Sequence, residues 1–376
     1  MKTPEIWQLG MHFDPAQGGA DRYFHDLLRG LEQNGRYFTA AAFDGNTDGN
    51  RVSLGPSAAP LLQRRSAIRN FGKRIAASPT PKVAAAHFAL YAGFLAPVMK
   101  ATPLVVHFHG PWSGEAAAEG AGAWTVFAKG WIEKRVYSRA AHCIVLSKAF
   151  QEILTGGFGI SPEKISVVPG PVDLEKFRPP ESVEVCRERL GRPAGRRMVF
   201  CVRRLVSRMG IPELIEGFSK IAGRFPDVDL VIGGSGERDA DFRAAADRTG
   251  LGERIAFRGF IPEAELPSFY GAADFSVVPS QRLEGFGLVA LESLACGTPV
   301  VVTPVGGLPE TVAGLSKHLV LPDPGPDAIA NGLGAALETP GFLPGSLECR
   351  KYAEINFSPS RIAGRIAEIY DRMAAK

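Results

Sequence analysis

The sequence predicts an α/β protein of two doubly wound parallel-sheet domains, and three observations predict it. Its 376 residues exceed the roughly 100 to 200 that one hydrophobic core usually organises. Short apolar runs alternate with stretches of helical period along both halves, the pattern of repeated βα units. A segment rich in proline, glycine and charge, Arg178 to Arg197, separates the two series and reads as a linker.

In the first half the strands are expected at Ile6 to Leu9, Val83 to Ala86, Leu104 to His107, His142 to Leu146 and Ile165 to Val168. Phe24, Leu27, Leu28 and Leu31 recur at helical spacing, so a helix starts just after Gly18-Gly19. The second half repeats the alternation at Val199 to Val202, Asp229 to Ile232, Ile255 to Arg258, Phe275 to Val278 and Val300 to Thr303. A closing helix, Pro359 to Ala374, carries Ile362, Ile366, Ile369 and Tyr370 on one face. The expected division is residues 1–178, residues 190–357, and a C-terminal helix in 358–376 that packs back on the first domain.

Composition narrows the class. Hydrophobic residues make up 45% and charged residues 22%, near the values of an ordinary globular protein, so neither a disordered nor a fibrous chain is suggested. No run approaches the roughly 20 apolar residues of a membrane-spanning helix, and the start lacks the long apolar region of a signal peptide, so a cytoplasmic protein is expected. Five cysteines (Cys143, Cys186, Cys201, Cys296, Cys349), far apart and without CxxC spacing, read as buried thiols rather than a disulfide or zinc framework. A net charge of +4 gives no reason to expect nucleic acid.

The distribution of charge says more than its sum. Residues 61–78 carry Arg64, Arg65, Arg69, Lys73 and Arg74 without an acid, while Leu61, Ile68, Phe71 and Ile75 fall on one side of a helical wheel. A helix of this kind is either a solvated surface helix or a contact for anionic lipid or an anionic acceptor, and peripheral contact with an anionic inner-membrane face is the partner expected from it.

The stretch Pro279 to Pro299 is the most informative. It follows a buried strand, passes through a glycine-containing loop and opens a helix, which leaves free backbone N–H groups at the strand's carboxyl end, a prepared anion site. Glu284 lies in the loop and Glu292 about two turns into the helix. A second loop, Val202 to Ile211, places Arg203, Arg204 and Arg208 between a strand and a helix, where cations stabilise a diphosphate leaving group.

These phrases resemble the family-4 glycosyltransferases, a retaining family of GT-B architecture. Its hallmark is two glutamates separated by seven residues, matched by Glu284 and Glu292, and the continuation Gly297 to Glu310 matches its usual sequel. The resemblance implies two Rossmann-like domains facing across a cleft, with Glu292 on the nucleotide ribose and Glu284 and the segment Gly285, Phe286, Gly287 and Leu288 on the donor sugar. It implies that Arg204 binds the phosphates. The family usually has a lysine five residues later, where this chain has Met209, so a second cation is expected from Arg208, from Arg203, or not at all.

In the first half, Gly18 and Gly19 match the family's glycine pair, and His109 resembles its histidine beside the donor sugar. His107 and His109 alternate onto the same side of their strand, and His109 is favoured because it lies at the carboxyl end. The turn Phe257 to Pro262, with Ile261, corresponds to the family's nucleobase turn.

The expected activity is transfer of a hexose-type sugar from a UDP- or GDP-sugar to a saccharide or lipid-linked acceptor, by same-face attack, without cofactor or metal. The alternatives are a nucleotide-sugar-binding protein and a GT-B-like epimerase or hydrolase. A nicotinamide site is poorly supported, because a GxGxxG pattern starting at Gly234 ends on Asp239. The pairs Asp227/Asp229 and Asp239/Asp241 stand at element starts, which explains them without metal.

Overall fold

The computed structural model describes residues 4–79, 82–99, 101–193 and 195–375. The chain divides into two compact units, one running to Pro171 and taking in the segment from Ser358 onward, the other spanning Val172–Phe357.

In the first unit, seven parallel strands lie in the order β3-β2-β1-β4-β5-β6-β7. They are β1 (Glu5–His12), β2 (Phe38–Phe43), β3 (Arg51–Ser53), β4 (Lys82–Ala86), β5 (Leu104–Phe108), β6 (His142–Val145) and β7 (Ile165–Val167). The helices here are α1 (Gly19–Gln33), α2 (Leu61–Ala77), α3 (Ala89–Leu95), α4 (Trp112–Ala118), α5 (Ala123–Arg139) and α6 (Lys148–Glu152). Side chains alternate across the sheet. Trp7, Leu9, Ala84, Ala86, Val106 and Phe108 pack with α2, α3 and α5, and Ile68, Phe71 and Ile75 are the apolar stripe that α2 buries. Leu61, expected on that stripe, is 47% exposed, because the helix's first turn projects beyond the buried core.

Two strands lie where the sequence pattern indicated none. β2 is Phe-Thr-Ala-Ala-Ala-Phe, and a triple alanine carries little strand signal of its own. All six of its residues are buried, so its place is decided by the pairing with β1 rather than by propensity. β3 is three residues and stands at the sheet edge, paired with β2.

The second unit opens with α7 (Val183–Arg189), inside the segment expected to be a linker. Its Arg187 donates to the Ala272 carbonyl at 3.0 Å and pairs with Asp274 at 2.8 Å, so the segment is part of the domain. The unit also begins at Val172, whereas the first domain is expected from the sequence to run to 178 and the second to start at 190. Val172 N–H donates to the Phe357 carbonyl, and Arg350 holds the carbonyls of Leu174 and Phe177.

Five parallel strands follow in the order β10-β9-β8-β11-β12. They are β8 (Arg197–Val202), β9 (Val228–Gly233), β10 (Ile255–Gly259), β11 (Phe275–Val278) and β12 (Val300–Val302). The helices are α8 (Ile211–Ile221), α9 (Asp239–Asp247), α10 (Leu266–Ala272), α11 (Leu288–Ala295), α12 (Leu308–Val312), α13 (Pro326–Glu338) and α14 (Ser346–Phe357). Leu214 and Phe218 of α8 and Ile329 and Leu333 of α13 pack on Val199, Cys201, Leu230 and Ile232. The strand-opening acids are held by arginines: Asp227 by Arg197 at 2.7 Å, and Asp229 by Arg192 and Arg196.

The last helix, α15 (Pro359–Ala374), belongs to the first unit and lies along α1. The approach is close because α1 has Gly30 there, and a Cβ at that position would collide with the Pro359 carbonyl. Ile362, Ile366 and Tyr370 are fully buried, and Arg36 pairs with Asp371. The five cysteines are free and buried. Among the described residues, no helix is long and apolar enough to cross a membrane.

Candidate active site

The loops leaving the carboxyl ends of the second unit's strands are hydrogen-bonded to one another. Leu205 N–H donates to the Ser235 carbonyl (2.9 Å), Gly234 N–H to Gly259 (2.7 Å), Gln281 N–H to Arg208 (2.9 Å) and Gly307 N–H to Glu284 (3.0 Å). Glycine is required where these loops touch. Gly306 has φ +56°, and a Cβ there would collide with the Glu284 carbonyl. The result is a continuous crest at the end of the sheet where ligands of open α/β folds collect.

Glu284 is the best anchored side chain on it. Arg203 forms an ion pair with its carboxylate, and Ser280 donates to the same oxygen at 2.9 Å. Arg203 also donates to Ser280 Oγ at 2.9 Å and meets Met209 Sδ at 2.8 Å. Burial pushes the Glu284 carboxyl up, but the Arg203 charge and the hydrogen bonds outweigh it and hold the group below its usual range. Glu284 is therefore a fixed carboxylate, able to accept from a hydroxyl.

The three arginines of the β8–α8 loop have different fates. Arg203 is turned inward on Glu284. Arg208 is buried, donates to the Leu283 carbonyl at 3.2 Å and acts electrostatically on Glu284. Leu283 takes a left-handed φ of +53°, rare outside glycine, which marks strain in the loop that carries Glu284. Arg204 is exposed, and its side chain has no hydrogen bond or ion pair among the described residues. Met209 is 5% exposed, a buried thioether against Arg203.

Beyond Glu284 the chain enters α11 through Gly287, whose φ is +80° and whose Cβ would collide with Leu308. The N-cap residue, a glycine, supplies no side-chain hydrogen bond to this helix start. Phe286 is buried on Phe357, and its carbonyl accepts from Thr311 Oγ. Gly285 lies between these anchored neighbours. Ile261 is buried against Gly233. Glu292 is only 1% exposed, with Tyr270 donating to it at 2.9 Å, so the two glutamates do not stand equally open.

In the first unit, α1 starts at Gly19 after Gly18, again without a side-chain cap. A Cβ on Gly19 would meet nothing within 4 Å and one on Gly18 only Asp21 Oδ2 at 4.0 Å, so the protein's own packing does not require glycine at either position. At the carboxyl ends of β4 and β5 stand His87, His107 and His109, their rings stacked in pairs. His109 is half-buried, and burial lowers it to about 4; burial and the neighbouring rings hold His87 and His107 well below the usual range. All three rings are neutral near pH 7.

His87, Gln8, Tyr23 and Tyr370 complete this cluster, and Ser280 and Tyr270 support the glutamates. None of these six carries a local sequence signal, because each is recognisable only by what it touches.

Two family models match the chain, glycosyltransferase family 4 over residues 17–176 and glycosyl transferases group 1 over 182–355. The chain is 38% identical over 164 residues to a D-inositol 3-phosphate glycosyltransferase of Segniliparus rotundus, covering 43% of this chain and 36% of that protein. It is 33% identical over 214 residues to a GDP-mannose-dependent alpha-(1-6)-phosphatidylinositol monomannoside mannosyltransferase of Mycolicibacterium smegmatis, covering 55% and 56%. The matches thus span only about a third to just over half of those relatives' length. The fold is similar to that of a sucrose-phosphate synthase from Thermosynechococcus elongatus, with TM-score 0.80, 24% identity and 99% of each chain covered. It is also similar to Anabaena HepE, with TM-score 0.76, 21% identity and 97% and 99% covered. With two parallel-sheet units of this kind, each matched by its own half of the family's signature, the chain has the GT-B fold and belongs to the family-4 glycosyltransferases.

Proposed function

We propose that the chain is a retaining glycosyltransferase that moves a hexose-type sugar from a UDP- or GDP-sugar to a saccharide or lipid-linked acceptor without a metal. The observation that carries this reading is the division of labour on the second unit's crest. One cation, Arg204, on the loop after β8, is exposed and its side chain is unengaged among the described residues, while the loop after β11 carries a carboxylate, Glu284, that Arg203 and Ser280 hold charged. Arg204 takes the diphosphate, with Arg208 adding its field from below. Glu284 and the backbone from Gly285 to Leu288 take the sugar hydroxyls, Glu292 the ribose, and the turn at Ile261 the base. In the first unit, Gly18 and Gly19 leave room for the donor, and His109 keeps the sugar-side role the resemblance implies.

In the reaction, the bond from the anomeric carbon to the diphosphate oxygen breaks and the acceptor oxygen bonds to that carbon on the same face. The acceptor's proton passes to the departing phosphate oxygen. Charge grows on the diphosphate as the bond opens, and a preorganised guanidinium stabilises it there more than in the ground state. The GDP-mannose dependence of the mycolicibacterial relative supports a nucleoside-diphosphate donor.

Met209 supports a second reading, a nucleotide-sugar-binding protein without turnover, because a buried thioether occupies the family's lysine position. One experiment separates the two. UDP- and GDP-sugars are incubated with the protein in EDTA, with and without a saccharide and lipid extract, and released nucleoside diphosphate is measured. Release that needs the extract and survives EDTA is expected. Binding without release supports the second reading, release independent of acceptor a hydrolase or epimerase, and release abolished by EDTA removes the metal-free mechanism.

A further inference from the structure

Helix α5 presents an apolar face to solvent. Trp124, Phe127 and Trp131, at i, i+3 and i+7, are 84%, 66% and 57% exposed along one stripe. The same face continues into exposed Lys134, Arg135 and Arg139. The helix's one carboxylate, Glu133, is turned away: it is fully buried and accepts from the N–H groups of Trp112 and Ser113 at 2.8 and 2.9 Å and from the Tyr137 hydroxyl at 3.1 Å. On the other side of α3, in the same layer, lies α2, with five cations, no acid, and Leu61 and Leu62 exposed at its start.

We propose that this layer of the first unit docks on an anionic lipid bilayer, with the α5 aromatics among the headgroups and the cations of α2 and α5 on the anionic lipids. Tryptophan is suited to that depth, and flanking lysines and arginines are attracted by the negative surface. A second copy of this chain is a poorer occupant, because it would set one positive face against another.

The test is flotation of the full chain with phosphatidylcholine vesicles, with and without phosphatidylglycerol. Binding is expected only to the anionic vesicles and to weaken with salt. Replacing Trp124, Phe127 and Trp131 together by Ser, at exposed positions, should weaken it at least tenfold, with the thermal midpoint unchanged. No flotation of the parent chain, or equal flotation of the triple variant, overturns the proposal. A parent dimer that the triple variant converts to monomer also overturns it, in favour of self-association.

A second inference stands on the histidine cluster. Gln8 Nε2 donates to the Tyr370 hydroxyl at 3.0 Å, and Gln8 Oε1 lies 2.9 Å from His87 Nε2. An amide oxygen only accepts, so His87 carries its proton on Nε2 and its Nδ1 is a bare acceptor. His109 Nε2 lies 3.2 Å from that Nδ1 and must supply the proton. On the Tyr370 side, its hydroxyl lies 2.7 Å from His107 Nε2, and His107 Nδ1 lies 3.1 Å from the Tyr23 hydroxyl.

We infer that Gln8, through His87, fixes His109 as the Nε2–H tautomer and so presents Nδ1 as a hydrogen-bond acceptor; its use toward a sugar hydroxyl rests on the function proposed above. Gln8 and His87 are positioning residues in this scheme. The readout is long-range ¹H–¹⁵N correlation of the full chain labelled in histidine, which reports the tautomer without reference to activity. His109 should be protonated on Nε2. His87→Phe keeps a flat ring against His107 but removes the acceptor, and should release the tautomer. Gln8→Leu should do the same, and Gln8→Glu, which still accepts from His87, should retain it. Protonation of His109 on Nδ1 in the parent chain, or an unchanged tautomer in His87→Phe, overturns the inference. The expected tautomers in a chain that transfers no sugar would instead sink the proposed activity alone.

Discussion

Arg203 and Glu284 form an ion pair at the crest of the second unit's sheet, with side chains only 7% and 13% exposed. A pair this deeply covered couples two loops, one leaving β8 and one leaving β11, and makes the charge of Glu284 depend on its neighbour.

Removal of one partner therefore leaves a buried charge uncompensated. Arg203→Leu should cost about 3 to 5 kcal/mol of stability and donor turnover together. Thermal unfolding and donor turnover measure it, and a variant as stable as the parent would show the pair to be dispensable.

Arg204 should behave in the opposite way. Its side chain is exposed and unengaged among the described residues, so Arg204→Ala should change stability by no more than about 0.5 kcal/mol. Turnover should fall more than about tenfold, as expected from losing a charge-assisted contact of about 1.5 to 3 kcal/mol. Unchanged turnover in a well-folded variant would remove Arg204 from the phosphate site.

Restoring the family's lysine should not help. Met209 touches the guanidinium of Arg203 and is buried. Met209→Lys sets a second cation against the first, and should lower the thermal midpoint without raising kcat. A gain in turnover would show that Arg208 does not compensate for the missing lysine.

The glycines separate room for a ligand from backbone need. Gly19→Ala, which meets open space, should fold normally while raising KM for the donor severalfold. Gly306→Ala, at φ +56° and against the Glu284 carbonyl, should destabilise by about 1 to 3 kcal/mol. Thermal melts and donor saturation curves of the two variants give the comparison.

The histidine cluster should set an acid limit to stability. Depressed folded-state values mean that the unfolded chain binds more protons than the folded one as pH falls. Stability is then full above the ordinary value of 6.5 and declines below it, with the His109 contribution lost across 6.5 to about 4. Stability measured against pH should decline less steeply there in His87→Phe. An equal slope would place the titration elsewhere.

Much of the fold was legible because βα alternation is local: each of the ten expected strands coincides with one of the twelve among the described residues, with ends shifted by a few residues. The crest loops were legible for the same reason, since Arg204, Glu284 and Glu292 sit at fixed distances from strands the pattern reveals. Sequence alone therefore determined the architecture, the order of the loops and the residue types they offer. Tertiary structure decided what each residue is free to do. Arg203 and Arg204 are neighbours in sequence, yet one is turned onto Glu284 and the other toward solvent. Gln8 and Tyr370 are separated by 362 positions and meet because α15 packs on the first unit's sheet. Local pattern records backbone period and chain order. Burial and hydrogen-bond partnership arise only when distant segments close-pack, and they assign charge, tautomer and exposure.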